Sequence, residues 1–308
     1  MRFFLIPILL TFASISFADV MRVTILGSGT PRPDINRFSQ SILVEAGGEK
    51  LLFDTGRGSA IRLSQANINI GDINEIFLTH LHSDHTLGMP DVIMTGWIYQ
   101  RKKTLNIYGP EGTKAFIKDI KSAFKEDIKI RVEPPESHSE EGLKTKSFEI
   151  KQGQIFKKGQ LSVTAFDVDH GGGVKHAFGY KIKYKNRSVV ISGDTNYSSN
   201  LVSYAKNSDL LIHEIADAPL SIINKYPKVK GVMNYHTTPE EMARVINEAK
   251  PRYTVLTHML LLGGISETDV LDKVKNLTNN KAEVELAYDL MAIDVKDNIR
   301  TYSIDYEK

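Results

Sequence analysis

A dense cluster of histidines near residue 80 most constrains what this chain can fold into. The stretch FLTHLHSDHTLG (77–88) contains His80, His82, Asp84 and His85 within six positions. Side chains two positions apart in an extended segment point the same way, and a turn after them would bring Asp84 and His85 to a second position. One zinc ion takes about four ligands. Four donors within six residues are more than one short loop usually gives to a single ion. The spacing therefore predicts two metal ions.

The alternative for this cluster is a solvated polar loop. The strand-like segment EIFLT (75–79) precedes the cluster and Gly88 follows it closely. Both features favour a turn that is pinned in one backbone conformation over a flexible loop.

The rest of the chain mixes strand and helix patterns. Short β-rich runs are RVTILG (22–27), SILVEA (41–46), KLLFDTG (50–56), EIFLTH (75–80), LSVTAFDVDH (161–170), FGYKIKY (178–184), RSVVISGDT (187–195) and SDLLIHE (208–214). Helices are predicted at 59–68 and at 237–250, where Thr238 is the N-cap, Pro239 lies in the first turn and Glu241 closes a capping box. The segment EPPESHSEEGLKTK (133–146) reads as an exposed connection between two halves. This order is typical of a layered α/β domain.

A weak internal sequence similarity favours two similar halves packed face to face. FLTH (77–80) and VLTH (255–258) both end an apolar strand in Thr-His, while LLFDTG and VVISGDT both end strands in an acid beside Thr. Chance similarity of such short pieces is the alternative.

The first residues predict export. Residues 1–18 combine Arg2, an apolar run from Phe3 to Phe12 and small residues ending at Ala18, which is typical of a signal peptide cleaved after Ala18. A membrane anchor and a first core strand are the alternatives, although the run is shorter than the ~20 residues that span a bilayer. We expect residues 19–308 to form a single domain that is periplasmic or secreted, without a stable membrane span once the signal is removed.

Composition narrows the function classes. The chain has no cysteine, so disulfides are excluded and stability must come from an ordinary core, to which bound metal could add. Loss of Arg2 with the signal leaves 38 basic against 37 acidic residues, a formal charge of +1. This balance is unlike that of a polybasic nucleic-acid binder, so nucleic acid is disfavoured as a partner.

The segment HLHSDH (80–85) resembles the His-x-His-x-Asp-His signature of the metallo-β-lactamase superfamily. The resemblance continues in order through DVDHGG, ISGDT and VLTHM to the end of the chain. It implies an α/β fold, the four-layer αββα sandwich of two similar halves. The resemblance also implies a ligand set for two Zn²⁺ ions, with other divalent metals also acceptable. One ion would take His80, His82 and His170, the other Asp84, His85 and His258, with Asp194 bridging.

Two further segments resemble the ribonuclease Z and arylsulfatase-like branch of this superfamily. LIHEIA (211–216) and NYHTTPEE (234–241) match elements in which a glutamate supports a histidine that protonates the leaving oxygen. The resemblance implies that His236, Glu214 and Asp84 are catalytic. His236 as a residue preceding a helix cap and Glu214 as a surface acid are the alternatives. Asp54 resembles a buried acid that partners a ligand histidine, with a strand-end turn residue as its alternative.

The resemblance is strongest to exported arylsulfatase-type members. It implies a small anionic ester, a sulfate ester or a phosphodiester, that is hydrolysed by metal-bound hydroxide. Ribonuclease Z-like processing of tRNA 3′ ends is an alternative, but only 23 residues separate His170 from Asp194, where such enzymes carry a long arm for tRNA. A metal-binding or partner-binding protein without catalysis is a second alternative. The oligomeric state stays open, including a homodimer.

Four other side chains are weaker candidates for contact with the substrate. Trp97 and Tyr99 could stack on an aromatic leaving group or pack in the core, and Lys175 and His176 could meet the anion or lie in a solvated loop. His213 precedes Glu214 on the same predicted strand and should point the other way, so it has no assigned role.

Overall fold

The computed structural model describes residues 20–279 and 281–306. The predicted cleavage site after Ala18 lies outside these residues. The strands in the described residues are β1 (Met21–Gly27), β2 (Ser41–Ala46), β3 (Glu49–Phe53), β4 (Glu75–Phe77), β5 (Leu105–Gly109), β6 (Thr145–Glu149), β7 (Gly153–Lys158), β8 (Leu161–Val168), β9 (Ala177–Tyr184), β10 (Arg187–Ile191), β11 (Leu210–Asp217), β12 (Tyr253–Leu261), β13 (Val284–Leu286), β14 (Met291–Val295) and β15 (Arg300–Ser303).

Ten α-helices connect these strands within the described ranges. They are α1 (Ser59–Gln65), α2 (Ser83–Thr86), α3 (Met89–Ile98), α4 (Thr113–Ala123), α5 (Lys125–Val132), α6 (Ser199–Ala205), α7 (Leu220–Lys225), α8 (Pro227–Met233), α9 (Pro239–Ala249) and α10 (Glu267–Leu277). Short 3₁₀ helices lie at Ile70–Asp72 and Glu140–Leu143.

The strands form two mixed sheets. The first sheet has the order β15-β14-β1-β2-β3-β4-β5-β6 and the second β13-β12-β11-β10-β9-β8-β7. The strands β3 to β6 are parallel, as are β10 to β13, and the remaining pairs are antiparallel. Consecutive parallel strands leave their carboxyl ends at one edge of each sheet, where loops can meet.

Three apolar layers hold the sheets and helices together. The central layer joins the two sheets and includes Val23 and Phe53 from one and Tyr180 and Val255 from the other. A second layer packs α1, α3 and α4 on the outer face of the first sheet. A third packs α6, α9 and α10 on the outer face of the second. The predicted four-layer αββα sandwich is therefore confirmed.

The local predictions agree with this architecture at most points. The eight predicted β-rich runs contain strands, and the helix predicted at 59–68 forms as α1. In α9 the Thr238 hydroxyl accepts from the Glu241 backbone N–H at 3.3 Å, and the Glu241 carboxylate accepts from the Thr238 N–H at 2.9 Å, which confirms the capping box. The predicted connection at 133–146 is exposed up to Glu141 except at the partly buried His138, but Leu143 is buried against α3 and β6 begins at Thr145.

Candidate metal centre

The seven predicted metal ligands converge from both sheets. They lie after β4, in α2, after β8, after β10 and within β12: His80, His82, Asp84, His85, His170, Asp194 and His258. Their donor atoms form overlapping groups in which all atoms lie within 4.8 Å of one another. Residues far apart in sequence therefore share one small volume at the edge where the sheets meet.

The first group contains three histidines. His80, His82 and His170 bring one ring nitrogen each to a common point, and the His170 Nε2 lies 3.1 Å from the His82 Nδ1. Zinc–nitrogen bonds of about 2.0–2.1 Å place two ligands of one tetrahedral ion at about this separation. The group can hold one ion.

The second group combines a carboxylate with two histidines. The His258 Nε2 lies 3.0 Å and the His85 Nε2 3.6 Å from Oδ2 of Asp84. Asp194 lies between the two groups, with its Oδ2 at 3.3 Å from His85 Nε2 and at 3.9 Å from His80 Nε2. Burial opposes charge on Asp194, but His258 and His85 hold its pKa well below its ordinary value. A carboxylate in this place can bridge two cations.

The hydrogen bonds behind the ligands test whether a metal fits. Asp54 accepts from the Thr79 hydroxyl at 2.9 Å and contacts the His85 Nδ1 at 2.8 Å. Since a carboxylate only accepts, His85 carries its proton on Nδ1. The Thr79 oxygen lies 3.0 Å from the His80 Nδ1, which then donates to it. In the neutral rings the Nε2 atoms of His80 and His85 therefore carry lone pairs, and both atoms are buried without a hydrogen-bond partner among the described residues. Divalent metals would satisfy them, so the site fits such ions.

The charges in the site also depend on burial. Burial, followed by the nearby His85, lowers the pKa of His80 well below its ordinary value, so His80 is neutral. Burial also lowers the pKa of His85, but the carboxylates of Asp194 and Asp54 outweigh it and raise this pKa well above its ordinary value. A proton and a cation therefore compete for His85.

The turn that carries the cluster is pinned, as predicted. The Gly88 N–H donates to the Thr55 carbonyl at 2.8 Å, and a Cβ at Gly88 would lie 2.3 Å from the Gly56 carbonyl oxygen. Only a glycine permits this approach. Asp54 contacts a candidate ligand histidine, as expected, and it does so with a backbone φ of 56°. Thr79, which contacts both His80 and Asp54, was missed by the sequence reasoning, although its place directly before His80 was the available signal.

His236 and Glu214 form a pair beside the metal ligands. Glu214 lies in β11, is 1% exposed, and its Oε1 accepts from the Thr237 and Thr195 backbone N–H groups at 2.9 and 3.2 Å. Its Oε2 lies 3.2 Å from the His236 Nδ1. Burial opposes charge on His236, but Glu214 and then Asp194 raise its pKa to about 9. The ring is therefore a cation at neutral pH in the metal-free protein.

One pocket of about 390 Å³ joins His236 to several of the candidate metal ligands. Its volume is in the range of small-molecule sites. Its lining residues are Pro31, His82, Ser83, Asp84, Asp194, Val232, Tyr235, His236, His258 and Leu260.

The weaker candidates do not line this pocket. Trp97 is 2% exposed, packs in the layer beneath the first sheet and donates its indole N–H to the Ser139 carbonyl, so the core-packing alternative is confirmed. Tyr99 lines another surface pocket beside Lys102 and Lys103. Lys175 and His176 are exposed in the loop that follows His170.

An αββα fold with clustered histidines and carboxylates at the strand ends defines a metal-dependent hydrolase of the metallo-β-lactamase fold. The chain belongs to the β-lactamase superfamily, whose domain matches residues 49–259. The predicted resemblance is thereby confirmed at the level of the superfamily.

A curated relative and one similar solved structure carry ribonuclease Z names. A ribonuclease Z of Mycobacterium sp. strain KMS is 30% identical over 292 residues, which cover 91% of this chain and 98% of that protein. The short form of human tRNase Z superposes with a TM-score of 0.66 at 25% identity, covering 90% of this chain and 100% of that one. The metallo-β-lactamase fold protein YhfI of Bacillus subtilis gives a TM-score of 0.68 at 21% identity, with 90% and 100% covered. This last likeness shows the fold alone.

Among the described residues, no helix has both the length and the apolar character that a membrane span requires.

Proposed function

We propose that this protein is a phosphodiesterase that uses two divalent metal ions and His236 as the general acid. The observation that carries the proposal is His236, which lines the same pocket as Asp84, Asp194 and His258 and has the buried Glu214 behind it, with Oε2 at 3.2 Å from Nδ1. A metal site alone is compatible with many hydrolytic reactions. A buried histidine held by a carboxylate next to that site is suited to the protonation of a leaving oxygen.

The side chains divide the work of such a reaction. His80, His82 and His170 would hold one ion, Asp84, His85 and His258 the other, and Asp194 both. The chemistry that bound divalent ions supply is polarisation of the ester and a lowered pKa of water. Glu214 places its Oε2 3.2 Å from Nδ1 of His236 and keeps the ring charged, so that Nε2 can give its proton to the departing oxygen.

The names of the relatives support phosphodiester over sulfate chemistry. A ribonuclease cleaves phosphodiester bonds, and the mycobacterial relative and the human structure reported above are both named as such nucleases. Neither is named a sulfatase, so the arylsulfatase expectation remains without support from them. Of the two anionic esters expected from the sequence, we therefore propose the phosphodiester as the substrate.

The test compares two chromogenic esters. Metal-loaded protein should hydrolyse bis-(4-nitrophenyl) phosphate faster than 4-nitrophenyl sulfate, and a chelator should abolish the activity. His236→Ala should lose turnover while its metal content, measured by elemental analysis, stays unchanged. Sulfate-selective turnover would instead support the arylsulfatase expectation. If neither ester is turned over by a protein that binds two metals, the proposal fails and a binding function gains support.

Ribonuclease Z-like processing of tRNA is the second candidate. It is favoured by the mycobacterial ribonuclease Z, because the matched region covers 98% of that protein. Between His170 and Asp194 this chain has β9, β10 and their connections. This short spacing is one ground on which the sequence disfavours nucleic acid as a partner, and that expectation stays a prediction. Cleavage of a precursor tRNA at its 3′ side, lost in His236→Ala, would establish this candidate. Turnover of small diesters without precursor cleavage would count against it.

Export is a separate proposal. It rests on the apolar segment and Ala18 at the start of the chain. Mass spectrometry of the N-terminus of the protein isolated from the periplasmic or culture fraction should find residue 19 first. An intact Met1 in a cytoplasmic fraction would contradict it.

A further inference from the structure

The backbone of His258 adopts a conformation that its neighbours must impose. Its φ is 45°, in the left-handed region that residues with a side chain rarely adopt. In the ladder between β11 and β12, Glu214 pairs with Thr257 and Ile215 pairs with Met259, so His258 is left out as a bulge. A bulge re-aims a side chain. Here the imidazole reaches Asp84, with Nε2 at 3.0 Å from Oδ2.

A partner from the other sheet fixes this bulge. The His258 N–H, which the ladder does not use, donates to the Ser28 carbonyl oxygen at 3.0 Å. Ser28 directly follows β1 of the first sheet. The position of one metal-ligand candidate thus depends on where this single carbonyl group is held.

Asp289 holds Ser28 in place. Its Oδ1 accepts from both the backbone N–H and the hydroxyl of Ser28 at 2.9 Å. Its Oδ2 accepts from the Phe38 N–H at 2.8 Å and from the Arg62 Nε at 3.0 Å. The side chain of Asp289 is 4% exposed and that of Arg62 is 7% exposed. A buried carboxylate with four donors from three segments is rigidly fixed, because moving it would leave charged and polar groups unpaired.

We propose that Asp289 is a positioning residue of the metal site: it holds the Ser28 carbonyl against the His258 N–H and so maintains the bulge that aims His258. Asp289 lies between β13 and β14, outside the residues that line the pocket. The inference rests on the proposed metal-dependent function, because it concerns how one ligand of the second ion is held. Asp54 and Thr79 contact candidate ligand histidines directly, whereas Asp289 acts on His258 through Ser28.

The test is metal affinity, measured by zinc titration of the chelator-treated full chain against a chromophoric competitor. In Asp289→Asn the amide group faces a donor that the carboxylate had satisfied, so Ser28 should shift. We expect the affinity for one ion to fall about 10–100-fold, the range for residues that support ligands, and the affinity for the other to stay unchanged. The His258→Ala variant should weaken the same ion, and adding Asp289→Asn to it should cause no further loss, because both changes act through one side chain.

Asp294→Asn is the matched control. Asp294 on β14 is also buried and accepts from an arginine, Arg22, at 2.8 Å, but within the described part of the chain its hydrogen bonds go to Arg22 and Lys296 and not to Ser28. This variant should keep both affinities. Ser28→Ala removes the hydroxyl, which donates to Asp289 and accepts from Arg37 at 2.8 Å, but keeps the Ser28 backbone N–H that Asp289 also accepts. It should weaken binding of the same ion severalfold, which gives a second measurement if Asp289→Asn does not fold. Native affinity in both site variants, an equal loss in Asp294→Asn, or additive losses with His258→Ala would overturn the inference. A native chain that binds no metal would instead refute the proposed function.

Discussion

At the scale of single residues, the polar atoms behind the ligands decide what the site can bind. Asp54 and Thr79 fix the protons of His85 and His80 on Nδ1, which leaves both Nε2 atoms free for a cation. The sequence indicated Asp54 through its resemblance to a buried acid. It did not indicate Thr79, because a threonine at a strand end is common and its contacts appear only when β3 and β4 pair.

The charge of Asp54 should matter for metal binding. Asp54→Asn keeps the shape of the side chain but removes the charge that accepts from His85 and Thr79. We expect zinc affinity to fall about 10–100-fold with the fold retained. Competition with a chromophoric chelator measures this. Asp209, a buried acid that directly precedes β11, is not among the clustered candidate ligands of the described residues, so Asp209→Asn should bind zinc as the native chain does. Equal affinities in native and Asp54→Asn chains would contradict the prediction.

The proton on His236 should matter most when the leaving group is poor. An acidic phenol departs as a stable anion, whereas a weakly acidic one needs a proton as it leaves. Across aryl methyl phosphodiesters of decreasing phenol acidity, turnover by His236→Ala should fall increasingly below native turnover, to about 10²–10⁴-fold for the poorest leaving group. Glu214→Gln should show a weaker trend of the same sign. A constant ratio for all leaving groups would show that His236 has a different role.

At the scale of elements, short-range patterns in the sequence predict the start of a helix, whereas the bulge at His258 depends on contacts that are distant in the chain. Thr238, Pro239 and Glu241 act within one turn, so the sequence alone predicts the start of α9. The left-handed His258 depends on Ser28 and Asp289, which are distant in the chain, so no local pattern reveals it. His213, which had no assigned role, lies next to this bulge, and its Nδ1 contacts the Glu214 carbonyl oxygen at 2.6 Å.

The start of α9 should couple stability to turnover. His236 and Thr237 directly precede the cap, and the Thr237 N–H donates to Glu214. Thr238→Ala should cost about 1 kcal/mol in the free energy of unfolding and should also lower turnover, because the His236 segment loosens. Ser266→Ala removes the equivalent capping box of α10 and should cost a similar amount while native turnover is kept. Urea denaturation and diester assays measure both, and equal turnover in the two variants would refute the coupling.

At the scale of the whole molecule, the site joins the two sheets. His80, His82, Asp84 and His85 extend from the first sheet, whereas His170, Asp194 and His258 belong to the second. The order of these residues in the sequence was sufficient to predict the sandwich through a family resemblance. Strand patterns alone give an α/β class, because they do not specify which strands pair across 200 or more positions, as β1 and β14 do.

Metal bound between the sheets should therefore stabilise the whole fold. An ion that binds only the folded chain adds about 2.7 kcal/mol to the free energy of unfolding when its free concentration is 100 times its dissociation constant. Chelation should remove this contribution to the free energy of unfolding and so lower the urea midpoint of the native chain, because the buried nitrogens of His80 and His85 lose their partner. His258→Ala should show a smaller chelation effect, since one ligand of the second ion is already missing. Asp209→Asn, whose acid lies away from the ligands, should show the full effect even if its baseline midpoint is lower. A native midpoint that does not respond to chelation or to added zinc would mean that the ligand cluster holds no metal that contributes to folding.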